Sequence, residues 1–453
     1  MNIKGITFLL LVSSSTFAQS ISKQDALEDF NYLNKAIVNG HPVNYNPIHP
    51  INIGNVILEL KDRQTDSLTV VEYSTLLGKA LRTVGDIHTS VARNPLISKS
   101  ETYSPVKLTI LNEKLYIVAA ANEVNVGKEV LAINGVNAGE LIGTFSNCRA
   151  ADGGSVQFSQ EYFSRFSETY VARYFKYPAA YTVETELNTI TLNASKDAIS
   201  NQKSVGVSNP TFSSKENQYT AKDPIGILKM SSFYKNDLQF LERVFQDIRA
   251  NKINYLVLDL RGNLGGDRKT TVNLASRLLD TTFGYSILQP KLKPFKYLTS
   301  KGKLLYTLSK LKYNIGNFYL GHKTPLGRKF NYTYKQNKAI YDGKLFVITD
   351  GFTASASTML TSWLKKYTTA TFVGSQAGGG YNGNGGGSFP LIQLPKSKIE
   401  IRFPVYRLVL DENSTKSDGI IPEIQPTKTI DDLLNQRDVD MDTIFRRINQ
   451  TQK

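Results

Sequence analysis

Twice in its C-terminal half the chain runs from a continuous apolar strand pattern, through a turn of small residues, into an amphipathic helix. Tyr255 to Leu260 passes through Arg261-Gly262-Asn263-Leu264-Gly265-Gly266-Asp267 to Val272, Leu274, Leu278 and Leu279. Lys344 to Thr349 passes through Asp350-Gly351-Phe352-Thr353-Ala354-Ser355-Ala356-Ser357 to Met359, Leu360, Trp363 and Leu364. Unbroken apolar strands need cover on both faces, and a helix after each strand supplies it. Ile227 to Met230 and Ala370 to Val373 add strands, and Leu238, Leu241, Val244, Phe245 and Ile248 add a helix face. Residues 223–430 are therefore expected to form an α/β domain.

The rest of the 453 residues, roughly three folding units in all by length, is organised differently. Ser22 with Asp25, and Thr69 with Glu72, mark the starts of amphipathic helices that end near Gly40 and Gly85, so residues 19–102 read as a helical cap. Short β runs at Leu108 to Leu111, Leu115 to Ala119 and Val130 to Ile133, the last closed by Asn134-Gly135, open a β-rich module over 103–200. A helical insertion within it begins at Phe158, and a β run covers Tyr181 to Leu192. Residues 201–222 are polar and read as a linker, and 431–453 as a C-terminal helical tail. Residues 283–340 contain twelve Lys or Arg and no acid, and read as a basic insertion in the α/β domain.

Residues 1–18 have the form of an export signal: Lys4, an apolar run from Ile6 to Val12, and small residues Thr16 and Ala18 before the expected cleavage point. The mature protein is expected to be soluble in an extracytoplasmic space, periplasmic or secreted. A single cysteine, Cys148, excludes an intramolecular disulfide and a Cys-based zinc site, and four histidines without paired spacing argue against a metal centre. The formal charge of +15 permits a polyanionic partner. Nucleic acid is not expected, although Tyr297, Tyr306, Tyr313, Phe318 and Tyr319 could in principle stack bases within the basic insertion. A solvated face, or a peripheral contact with anionic envelope components, is the reading of that charge.

Chemistry concentrates at the turns. Ser355, at the start of a helix after a buried strand, is either a helix N-cap or a nucleophile beside outward-pointing amides that could hold an oxyanion. Gly265 and Gly266 could bring a further amide to the same point, because a residue without Cβ lets the backbone approach a substrate carbonyl. Gly374 to Gly387 holds eight glycines and lacks the sequence of a phosphate cradle; it reads as a flexible surface loop or as the lining of a peptide-binding cleft. His88 follows a helix end and is either structural or a base, histidine having a reference pKa of ~6.5 suited to taking a hydroxyl proton.

Together, Gly85-Asp86-Ile87-His88-Thr89, Leu258-Asp259-Leu260-Arg261-Gly262-Asn263-Leu264-Gly265-Gly266 and Thr353-Ala354-Ser355-Ala356-Ser357 resemble the tail-specific, or C-terminal processing, serine peptidases, a family that includes the tricorn-type enzymes. Asp29-Phe30 through His41-Pro42 is similar to that family's helical cap, and Gly127 through Gly135 to part of its PDZ-like module. The resemblance implies a multidomain α/β protein with a crotonase-like core, peptide or protein substrates and no metal or organic cofactor. It implies Ser355 as nucleophile, His88 as base, and Ala356 with Gly265 or Gly266 as oxyanion-hole amides. Gly380 stands where the processing branch has a lysine base, so no Ser-Lys pair is expected. Four acids remain candidates for orienting His88: Asp418, Asp411, Glu412 and Asp86. The alternative is a peptide or apolar-ligand binding protein on the same fold that does not cut.

Overall fold

The computed structural model describes residues 20–45, 52–96, 102–199, 212–291, 293–315, 318–414 and 418–451. The leader expected over 1–18 and half of the expected linker, 201–211, lie outside them.

In the cap, α1 (Lys23–Gly40) starts where Ser22 Oγ accepts the Asp25 amide at 3.0 Å. α2 (Ile53–Asp62) follows, and α3 (Val70–Arg82) starts with a reciprocal pair: Thr69 Oγ1 accepts from Glu72 N–H while the Glu72 carboxylate accepts from Thr69 N–H. Phe30, Leu33, Ile37, Leu60, Leu76 and Leu77 of these helices belong to the same buried cluster as Leu256 and Leu258 of the main sheet. The cap thus has no core of its own. It ends in the strand Ser90–Arg93, two residues beyond His88, which pairs with Glu400–Arg402 far along the chain.

The module over 103–200 does have its own core, built from Leu108, Ile117, Val130, Phe145, Phe163 and Tyr181 among others. Its strands Val106–Leu111 and Lys114–Ala120 form a hairpin, and Val136–Asn137, Val130–Ile133, Ala180–Thr185 and Thr189–Asn193 form a four-stranded sheet. Asn134 and Gly135, both at positive φ (47° and 77°), make the tight turn that their sequence announces. Two helices, α4 (Ala138–Phe145) and α5 (Val156–Tyr174), complete it, the second bent at Phe166 (φ −125°, ψ 25°).

The main sheet has six strands in the order Phe212–Ser214, Asn217–Lys222, Ile225–Lys229, Tyr255–Asp259, Lys344–Thr349 and Thr371–Gly374. Its last four strands are parallel, as strand–turn–helix units require. The first two correct the sequence reading, because residues 212–222 pair antiparallel at the sheet edge instead of linking domains. Their polar composition fits an edge that meets water.

Six helices accompany this region: α6 (Leu238–Ala250), α7 (Arg268–Leu278), α8 (Ser300–Asn314), α9 (Ala356–Tyr367), α10 (Ile430–Leu434) and α11 (Val439–Thr451). Leu256 and Leu258 cluster with α6, α7 and α9, whereas Val257, with Phe346, Ile348 and Val373, faces Met441, Ile444 and Ile448 of α11. The segment read as a tail therefore covers one face of the sheet. Residues 283–340 are likewise more than an insertion. Phe283–Pro290 and Gly327–Tyr334 pair over eight residues each and join Tyr406–Val409, Gly385–Gly386 and Gly321–Thr324 in a second, five-stranded sheet.

Candidate active site

Two turns meet at Ser355. Asn263, fully buried, fixes the first: its Nδ2 donates to Met230 O at 2.7 Å, its Oδ1 accepts the Gly265 amide at 2.8 Å, and its carbonyl accepts the Ala354 amide at 3.1 Å. Gly265 (φ 101°) touches the second turn so closely that a Cβ there would lie 2.7 Å from Ala356 N and 2.8 Å from Ser355 Cβ. The second turn is held by Asp350, which accepts the Gly262 amide at 2.8 Å and the Phe352 amide at 3.0 Å. Glu161, reaching over from α5, accepts the Gly351 amide at 3.0 Å. Burial, and then mutual repulsion with Glu161, drives the Asp350 carboxyl well above the usual range, and burial raises Glu161 too.

Ser355 itself sits at φ 58°, ψ −120°, in the left-handed half of backbone space that a residue with a side chain rarely enters. It precedes α9, yet its side chain makes no capping hydrogen bond. Of the two readings open at the sequence level, a simple N-cap is therefore set aside. Its Oγ lies 3.2 Å from His88 Nε2, across a separation of 267 residues.

His88 stacks on Phe389 (centroids 4.9 Å, planes 22° apart). Its main-chain amide donates to Asp86 Oδ1 at 2.9 Å, and its Nδ1 faces the same oxygen at 3.5 Å, longer than a hydrogen bond. Of the four candidate acids, then, Asp86 is beside the imidazole. Glu412 is ion-paired with Lys329 and hydrogen-bonded by Ser286, Asp411 is paired with Lys366, and the Asp418 side chain packs against Gly153 at the surface.

Three groups that the sequence reading missed surround Asp86. His41 accepts the Val43 amide on Nδ1 at 3.1 Å, so its proton is on Nε2, 2.8 Å from Thr89 Oγ1 and 3.5 Å from Asp86 Oδ2. Burial lowers the His41 pKa to about 4, against the attraction of Asp86. Asp152 accepts the Ile87 amide at 2.8 Å and the Gly380 amide at 3.0 Å, and burial followed by the charge of Asp86 pushes its carboxyl up. Buried Arg407 is drawn down by desolvation and held up by Asp152 and Asp86. Burial alone would raise Asp86, but the facing His88 side chain, and then His41, keep it below the ordinary carboxylate range.

The Gly374–Gly387 segment is not a surface loop: apart from Gly387 its glycines are buried. A Cβ at Gly378 would meet Gly351 O at 2.0 Å, and one at Gly379 would meet Thr358 Oγ1 at 1.8 Å, so these glycines let the segment pack directly on the Ser355 turn. Of the two glycines proposed for an oxyanion hole, Gly265 has already given its amide to Asn263. Among the described residues no acceptor pairs with the Gly266 or Ala356 amide.

A cavity of about 900 Å³ lies between the cap, α4, α5 and the strand Ser90–Arg93. Lys79, Arg93, Arg149 and Arg173 line it against the single acid Glu140, and Arg149 lies over the Tyr162 ring at 4.4 Å. Tyr162, which lines the cavity, also packs on a cluster formed by Ile87, Ala151, Phe158, Phe352 and Ala354. Among the described residues no group of His, Cys, Asp and Glu could hold a metal ion.

The chain is similar to several solved structures. Mature CPAF complexed with lactacystin superposes with a TM-score of 0.61 at 12% identity, covering 91% of this chain and 96% of that one. Mature CPAF alone gives 0.59 at 12% identity, covering 91% and 94%. The photosystem II D1 C-terminal processing protease gives 0.39 at 13% identity, covering 88% and 92%. No curated protein matches the chain by sequence. The CPAF likeness establishes a shared mixed α/β, multidomain fold, and residues 224–425 match the family model Peptidase family S41. The chain thus carries a domain of peptidase family S41, the serine peptidases that include the tail-specific and C-terminal processing enzymes.

Proposed function

We propose that the chain hydrolyses peptide bonds by acyl transfer, with Ser355 as nucleophile and His88 as base. The observation that carries this reading is the 3.2 Å approach of His88 Nε2 to an uncapped Ser355 Oγ held at positive φ. His88 takes the hydroxyl proton as Oγ attacks the carbonyl carbon, then returns it to the leaving amine. Water repeats the sequence on the acyl-enzyme. The oxyanion is received by the amides of Ala356 and Gly266, Gly265 serving to bring the two turns together. Asp86 orients His88 and balances the imidazolium that forms, its distance shortening as charge develops. No metal or organic cofactor enters any step.

We read the six-stranded sheet and its helices as the crotonase-like core, and residues 103–200 as the PDZ-like module, on the resemblance of their motifs. The cavity between cap and module is suited to an extended peptide, since the strand Ser90–Arg93 is an edge among the described strands and leads from His88. The leader at 1–18 supports export to an extracytoplasmic space. Among the described residues no helix is long and apolar enough to cross a membrane.

The test is covalent labelling. A fluorophosphonate should add once to the wild-type chain by intact mass and not to Ser355→Ala, and only the wild type should cleave an unstructured protein substrate. Labelling of both would place the reactive nucleophile elsewhere than Ser355, and no labelling of the wild type, with peptides bound tightly and recovered uncut, would replace the peptidase with a peptide-binding protein.

A further inference from the structure

α8 is folded with its apolar stripe outward. Leu304, Leu308, Leu311 and Ile315 follow one another at three- and four-residue spacing along one face and are 61%, 55%, 48% and 67% exposed. The opposite face is the one that packs inward. There Tyr306 and Tyr313 are buried, Tyr313 against Phe330 and Tyr406, and a Cβ on Gly302 would lie 2.8 Å from Leu391 O. A helix with ordinary amphipathicity would have buried the leucines. By the 100° advance per residue, Lys301 and Lys312 flank the leucine stripe on one side, while Lys303 and Lys310 lie on the other side further round, toward the tyrosine face. Exposed Phe295 and Tyr319 extend the patch beyond each end of the helix.

We propose that α8 is a membrane-docking element that lies in the plane of an anionic lipid surface, its leucine stripe entering the acyl boundary and its lysines meeting the headgroups. Charge selects the occupant. The segment 283–340 has twelve cations and no acid, so two copies of this face would repel, whereas a negatively charged leaflet attracts it at each lysine. Nucleic acid is a poorer partner for a different reason: Tyr297, Tyr306 and Tyr313, which a base-stacking surface would need, are buried. Exposed leucines flanked by lysines are the chemistry of an interfacial helix. The inward face of α8 rests on Leu391 and Tyr406, so docking would use the face turned away from the rest of the protein.

Co-sedimentation of the full chain with phosphatidylcholine vesicles, with and without phosphatidylglycerol, tests the proposal. The wild type should partition onto the anionic vesicles and be released by high salt, while little binds the neutral ones. Leu308→Ser should weaken partition about tenfold. Lys301→Gln and Lys312→Gln should each weaken it about fivefold on anionic vesicles. These positions are exposed, so thermal melts should match the wild type, and fluorophosphonate labelling in the absence of lipid should be unchanged. Any of three results overturns the proposal: no vesicle binding; vesicle binding that ignores the leucine and lysine changes; or a solution dimer, or a complex with a DNA fragment, that Leu308→Ser abolishes while vesicle binding is absent.

Discussion

Ser355 and His88 are held in place by different physics. On the serine's side, main-chain amides and carbonyls fix the geometry, and Asn263, Asp350 and Glu161 meet them at 2.7–3.1 Å. On the histidine's side the neighbours are ionisable groups, Asp86, His41, Asp152 and Arg407, and the contacts are incomplete: Asp86 Oδ2 and His88 Nδ1 are buried without a hydrogen bond. The serine's half is preorganised, whereas the histidine's half depends on which of its members carry charge. Rate should therefore be most sensitive on the second side, and stability on the first.

Asp86→Asn offers the largest effect. Loss of the carboxylate facing Nδ1 should lower kcat/KM on a peptide substrate by about a thousandfold or more, with labelling slowed in parallel. A loss of less than tenfold would mean that another acid orients His88. Next, Asn263→Ala leaves the Met230 carbonyl and the Gly265 amide buried and unpaired, at about 1–3 kcal/mol each. A shift of that size in urea-denaturation stability is expected, and a variant as stable as the wild type would break the claim that Asn263 fixes the serine's half.

Acid titration separates the halves further. Folded His41 titrates near 4 rather than 6.5, so its contribution to stability is fully present above about 6.5 and is lost as pH falls toward 4. Asp152 acts in the other direction: its raised carboxyl, near 6 in the fold against 3.8, binds protons in the native state first and gains stability on acidification. The urea midpoint of His41→Gln should thus fall less steeply than wild type between those limits, and that of Asp152→Asn more steeply. Identical slopes for all three would deny the buried cluster its charge. The smallest effect is a gain. Ser355→Gly relieves the positive φ and should stabilise the inactive chain by about 1 kcal/mol, which Ser355→Ala should not.

The serine's half was the more legible in sequence because its parts are local. Two strand–turn–helix patterns mark Gly265, Gly266 and Ser355, and a helix end marks His88. The choice between the glycines was not local, since it depends on where the Asn263 side chain points. The neighbours of His88 were harder still. His41 follows α1, Asp152 precedes α5 and Arg407 lies on the strand Tyr406–Val409, and no spacing relates them before the chain is folded. The acids at 411, 412 and 418 were plausible by position in the chain but are paired elsewhere or at the surface. In α8 the period was visible and the orientation was not: spacing identifies the leucine stripe, and tertiary packing chose the tyrosine face for the interior.

The 267 residues between His88 and Ser355 also bear on when the protein can act. A ribosome completes the cap and module long before Ser355 is made, and the sheet that carries Ser355 is covered on one face by α11, which follows it in the chain. On the proposed chemistry, a growing chain holds the base through those 267 residues before it holds the nucleophile. With Ser355 and His88 acting as proposed, hydrolysis has to wait until the sheet around Ser355 is made, so the order of manufacture is itself a safeguard against premature cutting.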